Sequence, residues 1–228
     1  MVNPAAFTMG GMRCSAMLVR QLLRYVLVTT CLLVLAAPAH AARPTLVVFG
    51  DSLSAGYGLP QGSGWVDLLA QRLQRDKLDY EVVNASISGE TTSGGRSRIG
   101  QVLDAHQPAV VVVALGANDG LRGAAVDSTR ANLAAIVDAC RKAGARVLVV
   151  GMRIPPNYGA VYTRRFEAVF AEVARQQNAP LVPFLLDGFA EDRAMFQADG
   201  FHPVAAAQPR MLENVYRRLR GLLLPRPR

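Results

Sequence analysis

The strongest constraint on the fold is the run AVVVVAL at residues 109–115, which is apolar on every position. A strand of this kind needs cover on both faces, as in a parallel sheet layered between helices. Four further short apolar runs are separated from it by stretches with helical spacing; they lie at residues 45–49, 80–84, 146–151 and 181–184. This alternation predicts a three-layer α/β/α fold around a five-stranded parallel sheet, similar to flavodoxin.

Five helices are predicted from the segments between and after these strands. Apolar residues recur at a spacing of three and four in segments 65–75, 92–105, 129–143, 162–177 and 205–223. Ser128 is the expected N-terminal cap of the third helix, and Gly144 is its expected end. No internal repeat, low-complexity stretch or linker interrupts the pattern. We therefore expect residues 42–228 to form a single domain.

The first 41 residues have the pattern of a secretory signal peptide. Arg20 and Arg24 precede an apolar run of 13 residues at 25–37, and AHA at residues 39–41 is a typical cleavage site. Met12 and Met17 are alternative starting residues. Since the apolar run is short for a bilayer span, we expect cleavage near Ala41 and a secreted or periplasmic protein without stable membrane insertion.

Charge and cysteine content exclude several classes of protein. Loss of the three leader arginines would lower the formal net charge from +8 to +5, and the remaining basic residues are scattered. A nucleic-acid site would need a clustered basic stripe, so nucleic acid is not an expected partner. Cys140 would be the one cysteine of the mature chain, and its helical spacing with apolar neighbours predicts a buried thiol. We expect a monomer.

Four segments rich in glycine and small polar residues are predicted at the carboxyl ends of strands. They read GDSLSAGYG at 50–58, NASISGETT at 84–92, GANDG at 116–120 and DGFHP at 199–203. The carboxyl ends of parallel strands share one edge of the sheet, where ligands bind in folds of this kind. His106 precedes the third strand and belongs to the opposite edge. His202 is then the one histidine on the functional edge once His40 leaves with the leader.

These segments contain the parts of a serine hydrolase. A serine becomes a nucleophile when a base removes its proton, and His202 can serve Ser52 in this way. Asp199, three residues earlier, can hold the imidazole in the required tautomer. The backbone N–H groups of Ser52 and Gly89 and the amide of Asn118 can stabilise an oxyanion. Taken alone, Ser52 is better explained as a helix cap, and only the four segments together favour catalysis.

Other motifs are absent or have a simpler explanation. Asp51 is expected to bond loop amides, Asp119 is expected to hold its own loop, and Glu90 is expected to be an acid in the first turn of a helix. The chain has no G-x-S-x-G elbow, dinucleotide fingerprint, P-loop or zinc-ligand spacing. We therefore expect no metal and no cofactor.

GDSL, the glycine of the second segment, GAND and DGFH, in this order, resemble the SGNH (GDSL-type) hydrolases. The resemblance spans about residues 45–220 and is closest to a branch of periplasmic esterases, arylesterases and thioesterases. It implies a triad of Ser52, Asp199 and His202, and an oxyanion hole of Ser52, Gly89 and Asn118. It also implies an acyl groove, for which the candidates are Leu121, Ile154, Pro155 and Tyr158. Val204 departs from the polar residue expected after HP.

The sequence predicts hydrolysis of small acyl or aryl esters and thioesters, including lysophospholipids, through an acyl-enzyme. Two other functions stay open. An O-acetyl esterase of cell-envelope sugars would cleave acetylated sugar but not p-nitrophenyl octanoate. A non-catalytic carrier of acyl ligands in the periplasm would bind such ligands tightly without turnover.

Overall fold

A computed structural model of the protein describes residues 43–224. The predicted signal peptide, residues 1–41, lies outside the described residues and stays a prediction. Five parallel strands form one sheet in the order β2-β1-β3-β4-β5. They are β1 (Thr45–Gly50), β2 (Glu81–Asn84), β3 (Val110–Ala114), β4 (Arg146–Val150) and β5 (Leu181–Val182). The predicted three-layer α/β/α class is confirmed, and the observed strand order is the one found in flavodoxin.

Seven α-helices accompany the sheet within residues 43–224. They are α1 (Ser52–Ala55), α2 (Trp65–Arg75), α3 (Thr92–His106), α4 (Ala117–Leu121), α5 (Val126–Lys142), α6 (Ala160–Gln176) and α7 (Gln208–Leu223). Three single turns of 3₁₀ helix lie at Pro156–Tyr158, Arg193–Met195 and Ala205–Ala207. The short helices α1 and α4 directly follow β1 and β3, so they start at the carboxyl edge of the sheet.

The two faces of the sheet carry separate hydrophobic cores. Val110 and Val112 pack on one side with apolar residues of α2 and α7. Val111 and Val113 pack on the other side with α3, α5 and α6. All four valines are fully buried, because successive side chains of a strand point to opposite faces. The predicted burial of this run on both faces is confirmed.

The start of α5 differs from the prediction. The helix begins at Val126 after Ala125, which makes no side-chain capping bond, so Ser128 lies inside the first turn and does not cap the helix. Buried Val126 brings the first turn into the core beside the sheet. Gly144 follows the last turn with a φ of +85°, a conformation that suits glycine, and so ends the helix as predicted.

The last strand is shorter than predicted, and the last helix starts later. Sheet pairing of β5 ends at Val182, and Pro183 follows it without an N–H group to donate to the ladder. The predicted helix at 205–223 begins as the 3₁₀ turn and continues as α7 from Gln208. None of the helices in the described part of the chain combines the length and the apolar character needed to cross a membrane.

Candidate active site

Ser52 lies at the point where β1 passes into α1. Asp51 caps this short helix: its side chain accepts a hydrogen bond from the Leu53 N–H at 3.0 Å. The Asp51 carboxyl is almost completely buried, and burial raises its pKa from 3.8 to about 7. Asp51 therefore bonds a loop amide, as predicted, and fixes the turn on which Ser52 is presented.

His202 contacts Ser52 and Asp199 with its two ring nitrogens. Its Nε2 is 2.9 Å from Ser52 Oγ, and its Nδ1 is 2.7 Å from Asp199 Oδ2. Ser52 and His202 are 150 positions apart in the sequence. The fold thus brings the three predicted residues into one hydrogen-bonded chain.

Asp199 stays ionised because several donors face its carboxylate. Its Oδ1 accepts the backbone N–H groups of His202 at 3.0 Å and Phe201 at 2.9 Å. These two bonds, followed by the side-chain bond to His202, lower the pKa of Asp199 from 3.8 to about 2. The carboxylate can therefore orient the imidazole and stabilise its protonated form at any pH above about 3.

Gly89 lies in the loop that follows β2 and Asn118 lies in α4, which follows β3; both line the same cavity as Ser52. Gly89 has a φ of +78°, which a glycine adopts without strain. One N–H of Asn118 Nδ2 donates to the Glu90 carbonyl at 3.0 Å, and this amide carries a second hydrogen. Arg122 donates to the Gly89 carbonyl at 3.2 Å. These two bonds join the Gly89 loop to α4.

Two acids near these loops have structural partners. Asp119 is buried and accepts hydrogen bonds from the Thr92 backbone N–H at 2.8 Å and the Thr92 hydroxyl at 2.5 Å. It therefore joins α4 to the start of α3, whereas the sequence predicted a bond within its own loop. Glu90 lies before the helix cap Thr91 and forms a mostly buried ion pair with Arg98, so its predicted place in the first turn is wrong.

A cavity of about 560 Å³ opens beside Ser52 and His202. The predicted residues Leu121, Ile154 and Pro155 are among those that line it. Tyr158 is not part of the lining formed by residues 43–224; its hydroxyl donates to the Leu121 carbonyl at 3.0 Å. Tyr158 therefore supports the wall rather than forming it.

Several lining residues were not singled out from the sequence. The Tyr57 ring lies 4.5 Å from the His202 ring, centroid to centroid, at an angle of 41°. Apolar walls are formed by Met152, Phe184, Leu186, Phe196 and Phe201. Tyr57 belongs to the segment GDSLSAGYG, predicted at the carboxyl end of the first strand, and this place in the sequence could have indicated that it lies near the site. The phenylalanines and Leu186 have the spacing of ordinary core residues, so no pattern distinguishes them.

His106 and Cys140 lie away from this cavity. His106 is the exposed last residue of α3, before β3 begins, so it belongs to the opposite edge of the sheet as predicted. Cys140 is fully buried, and burial raises the pKa of its thiol from 9.0 to about 12. A thiol in this state is inert as a nucleophile.

Comparison with known proteins is consistent with this geometry. The model of the GDSL-like lipase/acylhydrolase family matches residues 48–209. Esterase TesA of Pseudomonas aeruginosa is 48% identical over 201 residues, which cover 88% of this chain and 100% of that protein. Thioesterase 1/protease 1/lysophospholipase L1 of Escherichia coli is 38% identical over 191 residues, which cover 84% of this chain and 90% of that protein.

Two solved structures share the fold over nearly their whole length. A crystal structure of TesA has a TM-score of 0.77 and 50% identity, covering 78% of this chain and 99% of that chain. The esterase EstA from Pseudoalteromonas sp., inhibited by monoethylphosphonate, has a TM-score of 0.75 and 38% identity, covering 78% of this chain and 98% of that chain. The chain therefore belongs to the GDSL-like lipase/acylhydrolase family, the SGNH hydrolases, and is a hydrolase.

Proposed function

We propose that this protein is a serine esterase that hydrolyses acyl and aryl esters and thioesters through an acyl-enzyme on Ser52. The observation that carries the proposal is the continuous chain of contacts from Ser52 Oγ through His202 to Asp199, at 2.9 Å and 2.7 Å. The first distance lies in the range in which a general base takes a proton, and the second is that of a charge-assisted hydrogen bond that orients the imidazole.

In the first step His202 Nε2 takes the proton of Ser52 Oγ while the oxygen attacks the acyl carbon. The imidazolium that forms is stabilised by the Asp199 carboxylate, which accepts the Nδ1–H. His202 then gives the proton to the leaving alkoxide or thiolate. In the second step His202 takes a proton from water, which attacks the acyl-enzyme, and then gives that proton to Ser52 Oγ as the bond to the acyl carbon breaks and the acid is released.

The oxyanion of each tetrahedral intermediate would be held by three donors: the backbone N–H groups of Ser52 and Gly89, and the free N–H of Asn118. Donors fixed before the reaction stabilise developing charge without having to reorganise. The contacts from Asn118 to Glu90 and from Arg122 to Gly89 support this arrangement. Every proton transfer uses a group of this chain, so the proposed steps need neither a metal nor a cofactor.

The cavity favours acyl and aryl substrates. Its walls include Leu121, Ile154, Met152, Phe184 and Phe196, and such apolar walls bury hydrocarbon favourably. Arg153, the basic residue in the lining, pairs with Glu167 at 2.7 Å and lies over the Phe184 ring. A pocket for sugars would be expected to present more free polar groups, so an O-acetyl sugar esterase is the weaker alternative.

The relatives support the same substrate class. The names of two of them give esterase, thioesterase, protease and lysophospholipase activities. These activities share the transfer of an acyl group to water, from oxygen, sulfur or nitrogen. With the predicted leader removed at Ala41, the enzyme would act as a monomer in the periplasm or outside the cell, on small esters including lysophospholipids.

Ser52→Ala tests the proposal directly. Hydrolysis of p-nitrophenyl octanoate should fall by roughly 10⁴-fold or more, because the nucleophile is lost. Ser97→Ala, which removes an exposed hydroxyl from α3, is the matched control and should keep wild-type activity. Undiminished hydrolysis by a folded Ser52→Ala protein would disprove the proposed mechanism. Tight binding of octanoyl ligands by a wild-type protein without turnover would favour the carrier.

A further inference from the structure

The segment that carries the proposed base reaches Ser52 from near the end of the chain. Residues 196–203, here called the His202 loop, contain one antiparallel bridge, between Phe196 and Pro203, and no helix. Backbone hydrogen bonds, such as those from the Gln197 N–H to the His202 carbonyl at 2.8 Å and from the Gly200 N–H to the Gln197 carbonyl at 3.0 Å, shape the loop but do not reach the segment that carries Ser52. The question is which side chain sets the distance from His202 to Ser52.

Gln197 joins the His202 loop to the segment that carries the nucleophile. Its Nε2 donates to the Tyr57 carbonyl at 2.9 Å and to the Pro203 carbonyl at 3.3 Å. Its backbone N–H donates to the His202 carbonyl at 2.8 Å. Gln197 therefore bonds the Tyr57 carbonyl, five positions after Ser52, and also the carbonyls of His202 and Pro203.

The backbone opposite Gln197 is shaped to accept this side chain. Gly58 follows Tyr57 with a φ of +70°. A Cβ atom on Gly58 would lie 2.3 Å from Gln197 Oε1, far inside van der Waals contact. The amide thus lies directly against the main chain of the nucleophile segment, and a side chain at this position would displace it.

The Tyr57 ring packs on the His202 ring without a hydrogen bond. Arg193 and Gln208 also donate hydrogen bonds to the His202 loop, but neither spans the gap to the nucleophile segment. Arg193 donates to the carbonyls of Gln197 at 2.6 Å and Ala198 at 2.8 Å, and its hydrogen bonds within residues 43–224 stay at this end of the loop. Gln208 is buried; it accepts the Trp65 N–H at 3.0 Å and donates to the Pro203 carbonyl at 3.5 Å. Gln208 therefore joins the loop to α2 and the core.

We propose that Gln197 is a positioning residue that holds His202 Nε2 in line with Ser52 Oγ. The inference rests on the proposed triad. Proton transfer requires the two heavy atoms to stay about 2.6–3.2 Å apart, and a displacement of about 1 Å costs about 100-fold in rate. Gln197 is not among the described residues that line the cavity, so it should affect turnover rather than substrate binding.

Gln197→Met is the informative substitution, because it keeps the length of the side chain and removes its donors. For p-nitrophenyl octanoate, kcat should fall about 10- to 100-fold while KM stays within about threefold of wild type. The rate at which a fluorophosphonate labels Ser52 should fall in the same proportion, since labelling depends on the same proton transfer. Gln101→Met, on the exposed face of α3, is the matched control and should change neither rate.

The outcomes separate this inference from the proposed function. If Ser52→Ala is inactive and Gln197→Met keeps the wild-type kcat and labelling rate, the positioning role is wrong and the triad stands. A raised KM with unchanged kcat also overturns it, because Gln197 would then act in binding. If Ser52→Ala is active, the triad itself is wrong. Kinetics are compared at a temperature at which circular dichroism finds both proteins folded, so a change in melting temperature does not obscure the result.

Discussion

The two sides of the candidate site are held by different means. On the nucleophile side, Ser52 follows the buried strand β1, and the cap residue Asp51 is itself buried. On the other side, Asp199 and His202 lie on a loop, with side chains that are 38% and 23% exposed. The proposed nucleophile is thus fixed by the core, whereas the proposed acid and base depend on a few hydrogen bonds near the surface.

Asp51 on the nucleophile side and Asp199 on the loop side have carboxyl groups whose pKa values are shifted in opposite directions. Burial, the largest cause, raises the pKa of Asp51 to about 7, while backbone donors lower the pKa of Asp199 to about 2. A carboxyl whose pKa is raised by burial is a poor partner for an imidazolium. Although Asp51 directly precedes Ser52 in the sequence, Asp199 is therefore the proposed triad acid, because it contacts His202 and its donors favour the negative charge.

Asp199→Asn tests the loop side of the site and should have the largest effect of the substitutions that compare the two sides. An amide preserves the shape but no longer fixes the required tautomer of His202, so kcat for p-nitrophenyl octanoate should fall by about 10⁴-fold. Asp192→Asn is the matched control: Asp192 accepts the Ala194 N–H at 3.0 Å in an exposed turn. A loss of less than about tenfold in Asp199→Asn would show that the loop carboxylate is not the partner of the base.

The nucleophile side is tested next by Asn118→Ala. Removal of one oxyanion donor should lower kcat by about 10²- to 10³-fold. The order of steps should not change, and the acid should still be released last. Gln71→Ala removes an exposed amide from α2, away from these contacts, and is the control. Equal kcat in the Asn118→Ala and wild-type proteins would remove Asn118 from the proposed oxyanion hole.

The smallest expected effect concerns Asp51 and the pH dependence of stability. Between about pH 4 and about pH 7 the folded protein holds a proton on Asp51 that the unfolded chain has lost, so this group makes the free energy of unfolding decrease as pH rises. Its contribution to the slope is at most about 1.4 kcal/mol per pH unit.

Asp51→Asn should remove that contribution, and urea unfolding at several pH values measures it. As pH rises from about 4 to about 7, the free energy of unfolding of the variant should increase relative to that of the wild type. Asp104→Asn, at an exposed position of α3, should leave the slope unchanged. A constant difference from about pH 4 to about pH 7 would contradict the raised pKa of Asp51.

The sheet was predictable from sequence because its signals are local and redundant. Val110–Ala114 is apolar throughout, and the helical face at Phe166, Val169, Phe170 and Val173 is buried as its spacing indicates. The start of α5 was less predictable, because Ser128 has the right chemistry for a cap at a position where tertiary packing extends the helix past it. β5 is shorter than its apolar run because Pro183 has no N–H group to donate to the sheet, and hydrophobicity alone does not show this.

The site was predictable in part for the same reason. The proposed site residues lie in short segments that were predicted to follow strands, so the sequence indicates the edge of the sheet at which they meet. These residues are Ser52, Gly89, Asn118, Asp199 and His202. Gln197 has no such signal. Its contacts with Tyr57 and Pro203 depend on how two loops distant in sequence approach each other, and only the folded chain defines that approach.

The most direct test of the central claim is the reaction of the purified protein with a fluorophosphonate, followed by intact mass spectrometry and peptide mapping. We expect a single adduct on Ser52 of the wild-type protein, no adduct in Ser52→Ala, and labelling in His202→Ala slowed to near the background rate. An adduct that persists in Ser52→Ala, or a folded wild-type protein that does not react, would contradict a Ser52–His202–Asp199 triad.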